Sequence, residues 1–229
     1  MTITPLLNRI SNLLFDHRTY RRRALDRWLL SNRALLAGCV LDVGSKRKTS
    51  KGLFALEPSR GDRWLAFDIG TDSSPDVVGR GERLPFRDGA FDAAVCSEVI
   101  EHVEDPAALV RELHRVVRSG GPLLFSSPFL YPIHGDPHDC QRLTETRLRQ
   151  LLQGFREVQI EVSGYFPSVV GDILKLMLHH TSRRYVVKYL LYPLLPLVHL
   201  CVLCERWSAL RHLYGWEGTI SGYLIVARK

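Results

Sequence analysis

The sequence predicts an α/β fold built on a mostly parallel sheet that is covered on both faces. The first observation behind this prediction is that short apolar runs alternate with segments of helical periodicity. The second is that polar residues stand where four of these runs end. A chain of 229 residues with 45% hydrophobic and 24% charged residues is typical of a globular protein with a substantial core.

Seven segments are predicted to be strands. CVLDVG begins at Cys39 and is a short apolar run that ends in Asp42 and Gly44, and RWLAFDIG at 63–70 repeats that form. The remaining strands are predicted at PDVVG (75–79), FDAAVCSEV (91–99), PLLFSS (122–127), FREVQIEV (155–162) and GYLIVARK (222–229).

Helices are predicted at the N-terminus and between the strands. Residues 1–37 carry leucines at helical spacing around a basic cluster at 18–23, which is either a solvated helix face or a contact with an anionic surface. Residues 105–121 place apolar side chains on one helix face, with Asp105 and Pro106 as start signals and a glycine pair as the stop. Residues 145–152 are also helical in character.

Charge and cysteine usage restrict the partners and the compartment. The net charge of +7 favours phosphorylated substrates or anionic lipid headgroups, and no nucleic-acid-binding signature accompanies it, so we predict no nucleic-acid partner. Five scattered cysteines do not resemble a disulfide framework, which favours a reducing cytoplasm. The Cys201–Cys204 pair has CxxC spacing but lies in an apolar run, so buried thiols are favoured over a redox or zinc role.

Residues 164–218, between the last two predicted strands, are longer than an ordinary connection. Their apolar run at 185–204 has the length of a membrane span, but Pro193 and Pro196 would break a spanning helix. Basic residues frame the run. Three interpretations stay open: a helix lying on the inner face of an anionic membrane, a pocket for a lipid-linked substrate, and a buried helical subdomain.

Polar strand ends indicate a ligand site, because ligands of parallel sheets bind beyond the carboxyl ends of the strands. Asp42, Gly44, Asp68, Ser97 and Glu98 all stand there. An acidic residue that ends the second strand suits the hydroxyls of a ribose. The first turn, GSKRKTSKG, lacks the GxGxxG of a dinucleotide site, which opposes an NAD-dependent oxidoreductase.

Three segments together resemble the class I S-adenosylmethionine-dependent methyltransferases of the type 11 family. They are VLDVG, LAFDI and the block from ERLPFRDGAFDAAVCSEVIEHVEDP through RELHRVVRSGG to HGDPHDCQRLT. The resemblance covers about residues 39–161 and the last strand. It implies a Rossmann-like three-layer sandwich with a seven-stranded sheet whose last strand is antiparallel, and S-adenosyl-L-methionine as cofactor. Beside the N-terminal helices predicted from periodicity (1–37), it implies a methyltransferase domain (38–229) with an insertion at 164–218 that forms an acceptor lid or a homodimer surface.

The resemblance further implies which residues contact the cofactor. They are Asp42, Gly44, Ser45, Asp68, Ile69, Gly81, Glu82, Ser97 and Glu98. Asp68 would bind the ribose, and Ile69 would pack on the adenine. Two departures from the family pattern favour the alternative of a non-catalytic binding module at a membrane or protein partner. Ser45 begins a stretch where a second glycine is usual, and Arg80 replaces an acidic or amide residue and cannot accept a hydrogen bond.

The segment PFLYPIHGDPHDCQRLT, residues 128–144, holds the candidate catalytic groups. His134, Asp136, His138 and Asp139 could ligate a metal, but a glycine and a proline interrupt their spacing, and we predict no metal. By the resemblance, this loop faces a small-molecule, glycan or lipid-linked acceptor. A histidine near neutrality suits the deprotonation of an acceptor oxygen, so His134 and His138 are candidate bases with Asp136 or Asp139 as the orienting group. Arg142 would pair with a loop carboxylate or an anionic acceptor. The alternative is a proline-stiffened structural turn.

Overall fold

The computed structural model describes residues 18–45, 62–72, 74–135, 138–180, 191, 193–213 and 215–229. The strands are β1 (Cys39–Val43), β2 (Arg63–Asp68), β3 (Val77–Val78), β4 (Ala93–Ser97), β5 (Pro122–Pro128), β6 (Glu157–Val162) and β7 (Gly222–Arg228). The α-helices are α1 (Tyr20–Ser31), α2 (Pro106–Val116), α3 (Glu145–Leu151), α4 (Phe166–His180), α5 (Leu194–Cys204) and α6 (Ser208–Leu213). Short 3-10 helices span Arg33–Leu35, Ile100–His102 and Trp216–Gly218. The helix predicted within residues 1–17 and the turn residues 46–61 lie outside the described part of the chain.

The seven predicted strands form one sheet in the order β3-β2-β1-β4-β5-β7-β6. Strands β1 to β5 pair in parallel, whereas β7 is antiparallel to both of its neighbours, β5 and β6. The predicted fold class, with an antiparallel last strand, is therefore confirmed.

The central strands are covered by helix α1 on one face. Leu25, Trp28 and Leu29 of that helix pack with Val40 of β1 and Leu124 of β5 in one buried cluster. Burying a side chain of this size contributes about 1.5–3 kcal/mol. Strands β1, β4 and β5 are largely buried, and their sequences are accordingly nearly continuous apolar runs.

Helix α2 begins where its sequence signals predict, but it ends at Val116, before the glycine pair that was predicted to stop it. The Asp105 carboxylate accepts a hydrogen bond from the backbone N–H of Ala108 at 2.9 Å, and Pro106 occupies the first turn. Arg115, near the end of α2, donates to the carbonyls of Leu84 and Phe86 at 3.0 and 2.7 Å. The helix thereby holds the segment that follows β3 at the edge of the sheet.

The described residues group into two compact units. One contains the sheet and comprises residues 25–129, 133–162 and 222–229, and the other comprises the residues up to 24, 130–132 and 163–221. The division into N-terminal helices at 1–37 and one methyltransferase domain at 38–229 stays a prediction.

Buried carboxylates cap helices in the smaller unit. Asp172 of α4 accepts hydrogen bonds from the backbone N–H groups of Tyr20 and Arg21 at 2.5 and 3.1 Å. Glu205 accepts from the hydroxyl and the backbone N–H of Ser168 at 2.6 and 3.2 Å, near the start of α4. Both carboxylates satisfy N–H groups that a helix start leaves open.

Across the described ranges, we find no helix that combines the length and the apolar character needed to cross a bilayer.

Candidate active site

The candidate site lies in the sheet-containing unit, at the carboxyl ends of β1, β2 and β4. Val43 at the end of β1 is in register with Phe67 of β2 and with Cys96 of β4, so the three strand ends stand side by side. The sheet order reverses between β1 and β4, which is where parallel sheets open a crevice for ligands. The strand-end residues predicted from the sequence are brought together there.

The turn after β1 depends on glycine. Gly44 has a φ of +73°, and a Cβ at this position would clash with the side chain of Val99. The N–H groups of Gly44 and Ser45 donate to the carbonyl of Phe67 at 2.8 and 3.2 Å, which closes the turn against β2. Asp42, immediately before this turn, is buried in β1.

The end of β2 presents a carboxylate beside an exposed apolar side chain. One oxygen of Asp68, Oδ1, accepts a hydrogen bond from the backbone N–H of Gly70 at 2.7 Å, which fixes the carboxylate at the strand end. Ile69 is 51% exposed. A carboxylate that can accept hydrogen bonds from ribose hydroxyls, next to an apolar surface that can cover a base, is the combination that a nucleoside requires.

The segment after β3 holds Gly81 and Glu82. Gly81 lies against helix α2, since a Cβ there would come within 2.8 Å of Leu109. Arg80, the departure from the family pattern, donates to the Glu82 carboxylate at 3.1 Å and lies 3.5 Å from that of Glu104. The guanidinium is thus accommodated by two carboxylates.

The end of β4 carries a strained residue. Glu98 has a φ of +58°, a conformation that costs a residue other than glycine about 1–3 kcal/mol. The Ser126 hydroxyl stabilises it, because its oxygen accepts from the Glu98 backbone N–H at 3.1 Å and donates to Glu98 Oε1 at 2.7 Å. The Ser97 hydroxyl oxygen lies 3.0 Å from the Ser126 hydroxyl oxygen. Sequence reasoning missed Ser126, although a serine pair that ends the fifth predicted strand was a usable signal.

The loop after β5 is attached to the 3-10 helix Ile100–His102. The backbone N–H of Cys140 donates to the Glu101 carbonyl at 2.7 Å. The Gln141 side-chain amide donates to the carbonyls of Ile100 and Val103, each at 3.0 Å. Nδ1 of His102 lies 2.5 Å from the His138 carbonyl oxygen. These contacts hold the loop beside the end of β4, and sequence reasoning missed the contribution of Gln141.

Within this loop, Asp139 organises its neighbours. Its side chain is 4% exposed and pairs with Arg142 through both carboxylate oxygens, with Arg142 Nη2 2.6 Å from Oδ2. The Arg142 guanidinium lowers the pKa of Asp139 to about 2. Asp139 Oδ2 also accepts from the backbone N–H of His134 at 3.0 Å and lies 3.5 Å from Nδ1 of that imidazole.

The two candidate bases therefore differ in their surroundings. His134 is 39% exposed and has an ionised carboxylate beside its Nδ1 atom. The residue His138 is exposed, and its backbone carbonyl is the group that contacts His102. Asp136, the other proposed orienting residue, lies outside the described residues.

Comparisons with known proteins agree with this fold. A family model described as a methyltransferase domain matches residues 53–125. A ubiquinone/menaquinone biosynthesis C-methyltransferase from Geobacter sp. strain M21 is 33% identical over 154 residues, which cover 57% of this chain and 61% of the relative. A ubiquinone biosynthesis O-methyltransferase from Azotobacter vinelandii is 31% identical over 117 residues, 44% of this chain and 48% of the relative. A SAM-dependent methyltransferase structure from Archaeoglobus fulgidus shares the fold with a TM-score of 0.57 and 16% identity, covering 91% of this chain and 94% of that one.

The chain is therefore similar to S-adenosylmethionine-dependent methyltransferases in its fold and, over residues 53–125, to the methyltransferase domain in its sequence. Residues 53–125 lie within the segment that resembles the type 11 family, and S-adenosylmethionine is the cofactor that this resemblance implies. The match to the Geobacter relative extends over about three fifths of that relative's length.

Proposed function

We propose that the chain transfers a methyl group from S-adenosylmethionine to an oxygen of an acceptor that is a small molecule, a glycan or a lipid-linked molecule. The observation that carries this proposal is the placement of a His134–Asp139 pair in a loop that is hydrogen-bonded next to the cofactor crevice. The names of the curated relatives describe both C- and O-methylation in quinone biosynthesis, which supports a small-molecule acceptor.

The chain's own residues have separable tasks in this proposal. The Asp68 carboxylate accepts hydrogen bonds from the ribose hydroxyls, and Ile69 covers one face of the adenine. The bound cofactor supplies a methyl group that its sulfonium charge already activates. His134 accepts the proton of the acceptor hydroxyl while the acceptor oxygen forms its bond to the methyl carbon and the sulfur–carbon bond breaks. The ionised Asp139 stabilises the imidazolium that results.

Calorimetry with S-adenosylhomocysteine tests the cofactor site. We expect Asp68→Ala to weaken binding more than about tenfold, because charge-assisted hydrogen bonds to the hydroxyls are lost. Asp72→Ala, an exposed carboxylate four residues further along the chain, is the matched control and should bind normally. Equal affinities of the two variants would show that the ribose site is misassigned. If the wild-type chain fails to bind the cofactor at millimolar concentration, the non-catalytic module is the better interpretation.

Transfer itself is tested by incubating the chain with labelled S-adenosylmethionine and a cell extract. Labelled products, identified by mass spectrometry, should carry the methyl group on oxygen, and His134→Ala should lower their formation without weakening cofactor binding. Methylation found on carbon or nitrogen would refute the oxygen acceptor while keeping the enzyme class.

For the smaller unit we propose a second property, contact with an anionic membrane surface. Its helices α4 and α5 share a small core of Leu174, Leu178 and Leu195. Large apolar side chains are nevertheless exposed along both helices and just after α5: Phe166, Val170, Ile173, Met177, Leu194, Leu197, Leu200, Leu203 and Trp207. Helix α5 contains no charged residue at all. A helix that is apolar all round requires a cover.

The charges favour lipid as that cover. Trp207 is 66% exposed and follows the exposed Arg206, and the sequence between α4 and α5, residues 181–190, holds three basic residues and no acidic one. Tryptophan and arginine at the edge of an apolar surface are typical of helices that lie in the headgroup region of anionic membranes.

Sedimentation with vesicles tests this property. The chain should partition onto phosphatidylcholine vesicles that contain phosphatidylglycerol, and less onto pure phosphatidylcholine. Leu197→Glu combined with Leu200→Glu should lower partitioning at least about tenfold, because two leucines contribute about 3 kcal/mol or more. Leu30→Glu, an exposed leucine of the other unit, is the control. If the chain does not bind the vesicles and has twice the monomer mass by light scattering, a second copy of the chain covers these helices instead.

A further inference from the structure

A cluster of potential metal ligands lies beside the acceptor loop. Glu101, His102 and His134 each offer one ligand atom, and these atoms all lie within 4.8 Å of one another. The cluster differs from the one suggested by the sequence of the loop, because His134 is the single shared member. Its other two members come from the 3-10 helix that follows β4.

The tautomer of His102 suits a ligand. Its Nδ1 atom lies 2.5 Å from the carbonyl oxygen of His138, so Nδ1 carries the proton and donates. The lone pair is therefore on Nε2, which lies 3.7 Å from Glu101 Oε1. Histidines that bind metals commonly donate their second N–H to a backbone carbonyl in this way.

His134 has the corresponding arrangement with a carboxylate. Its Nδ1 atom lies 3.5 Å from Oδ2 of Asp139, and Arg142 Nη2, 2.6 Å from the same oxygen, holds that carboxylate in place. A proton on Nδ1 leaves Nε2 as the ligand atom, as in carboxylate–histidine–metal triads. The two imidazole rings have centroids 5.2 Å apart and are nearly perpendicular at 86°.

The third member is a carboxylate with no exposure to solvent. The Glu101 side chain is 0% exposed, and its backbone carbonyl accepts a hydrogen bond from Cys140 of the loop. A buried carboxylate is costly unless cations or donors neutralise it. The Arg142 guanidinium already acts on this carboxylate through its charge, and a divalent cation held by Glu101 and two neutral imidazoles would add positive charge in direct contact with it. The hydrogen bonds that attach the loop set the ligand positions before any ion arrives.

We propose that Glu101, His102 and His134 form a binding site for one divalent transition-metal ion such as Zn²⁺. Two imidazoles and one carboxylate are a ligand set that leaves coordination positions open. Those positions accept water or an acceptor oxygen, whose pKa the cation lowers. The acceptor role rests on the proposed function, whereas metal binding does not. In the metal-loaded chain, His134 is a ligand, and the cation takes over the activation of the acceptor hydroxyl.

Metal titrations of the full chain test the site. Protein treated with a chelator and then freed of it should bind one equivalent of Zn²⁺ by calorimetry, and Co²⁺ should give the visible absorption of an ion held by nitrogen and oxygen ligands. We expect His102→Ala, His134→Ala and Glu101→Gln each to weaken Zn²⁺ binding about 10- to 100-fold. His138→Ala is the matched control, since it keeps the backbone carbonyl that His102 contacts and removes a neighbouring imidazole.

Two results would overturn the proposal. One is a folded wild-type chain, judged by circular dichroism, that binds no Zn²⁺ at millimolar concentration. The other is binding that persists in His102→Ala and is lost instead in the double variant Cys201→Ser/Cys204→Ser, which would place the ion at the cysteine pair. The cofactor titration with S-adenosylhomocysteine is measured separately, so failure of the metal site and failure of the proposed methyl transfer give different results.

Discussion

The ion pair between Arg142 and Asp139 allows a quantitative test of how the acceptor loop is held. In the folded chain, Arg142 lowers the pKa of Asp139 from its ordinary value to about 2. That difference corresponds to about 2 kcal/mol of stability at neutral pH. Solvent around the partly exposed Arg142 reduces the expected effect of Arg142→Met on the free energy of unfolding to about 1–2 kcal/mol.

The pH dependence of this loss follows from the direction of the shift. Because the pKa of Asp139 is depressed in the folded state, its stabilisation is complete above the unfolded-state pKa of about 4. It is lost as the pH falls through about 2. The difference between wild type and Arg142→Met should therefore be largest at pH 7 and shrink below pH 4.

Urea unfolding of both proteins, from pH 7 down to the lowest pH at which they fold, measures this difference. Arg149→Met is the control, because Arg149 forms an exposed pair with Glu145 at 2.8 Å and exposed pairs contribute little. A difference that is absent at pH 7, or that stays constant down to pH 3, would refute the reasoning that the ion pair holds the loop.

Three further outcomes are expected from single substitutions. Gly44→Ala should lower the free energy of unfolding by about 1–3 kcal/mol more than Gly120→Ala, as measured by urea unfolding. Both glycines have a positive φ, but a Cβ at Gly44 would clash with Val99, whereas a Cβ at Gly120 meets open space. Ser126→Ala should weaken S-adenosylhomocysteine binding several-fold by calorimetry, because Glu98 loses the hydroxyl that stabilises its strained backbone. Burial raises the pKa of Asp172 to about 6, so this group's contribution to stability is present below about pH 4 and falls as the pH rises through 6. Asp172→Asn should flatten that part of the pH profile of urea unfolding.

Much of the fold could be predicted because its signals are local. The runs of β4 and β5 are buried along their whole length and that of β1 from Val40 onward, which gives central parallel strands a recognisable composition. Helix α2 has a capping aspartate, a first-turn proline and a single apolar face within eleven residues. Each of these signals depends on neighbouring residues and needs no knowledge of the rest of the chain.

The candidate site was predictable to the extent that it follows strand ends. Asp42, Asp68 and Glu98 each stand next to a predicted strand terminus, and parallel strands bring their carboxyl ends together. The strain at Glu98 has no such local signal, because it depends on a hydroxyl 28 residues further along the chain.

The strands could be predicted from the sequence alone, and its resemblance gave the direction of the last strand. The cofactor class and the loop that holds the candidate base stay predictions. Which groups of that loop contact which partners became apparent from the folded chain alone. His102 and His138 are 36 positions apart, and Tyr20 and Asp172 are 152 apart, yet each pair is joined by a hydrogen bond. The physical reason is that periodicity and capping act within a few residues. Contacts between distant side chains depend on how the sheet and the loops fold back on one another.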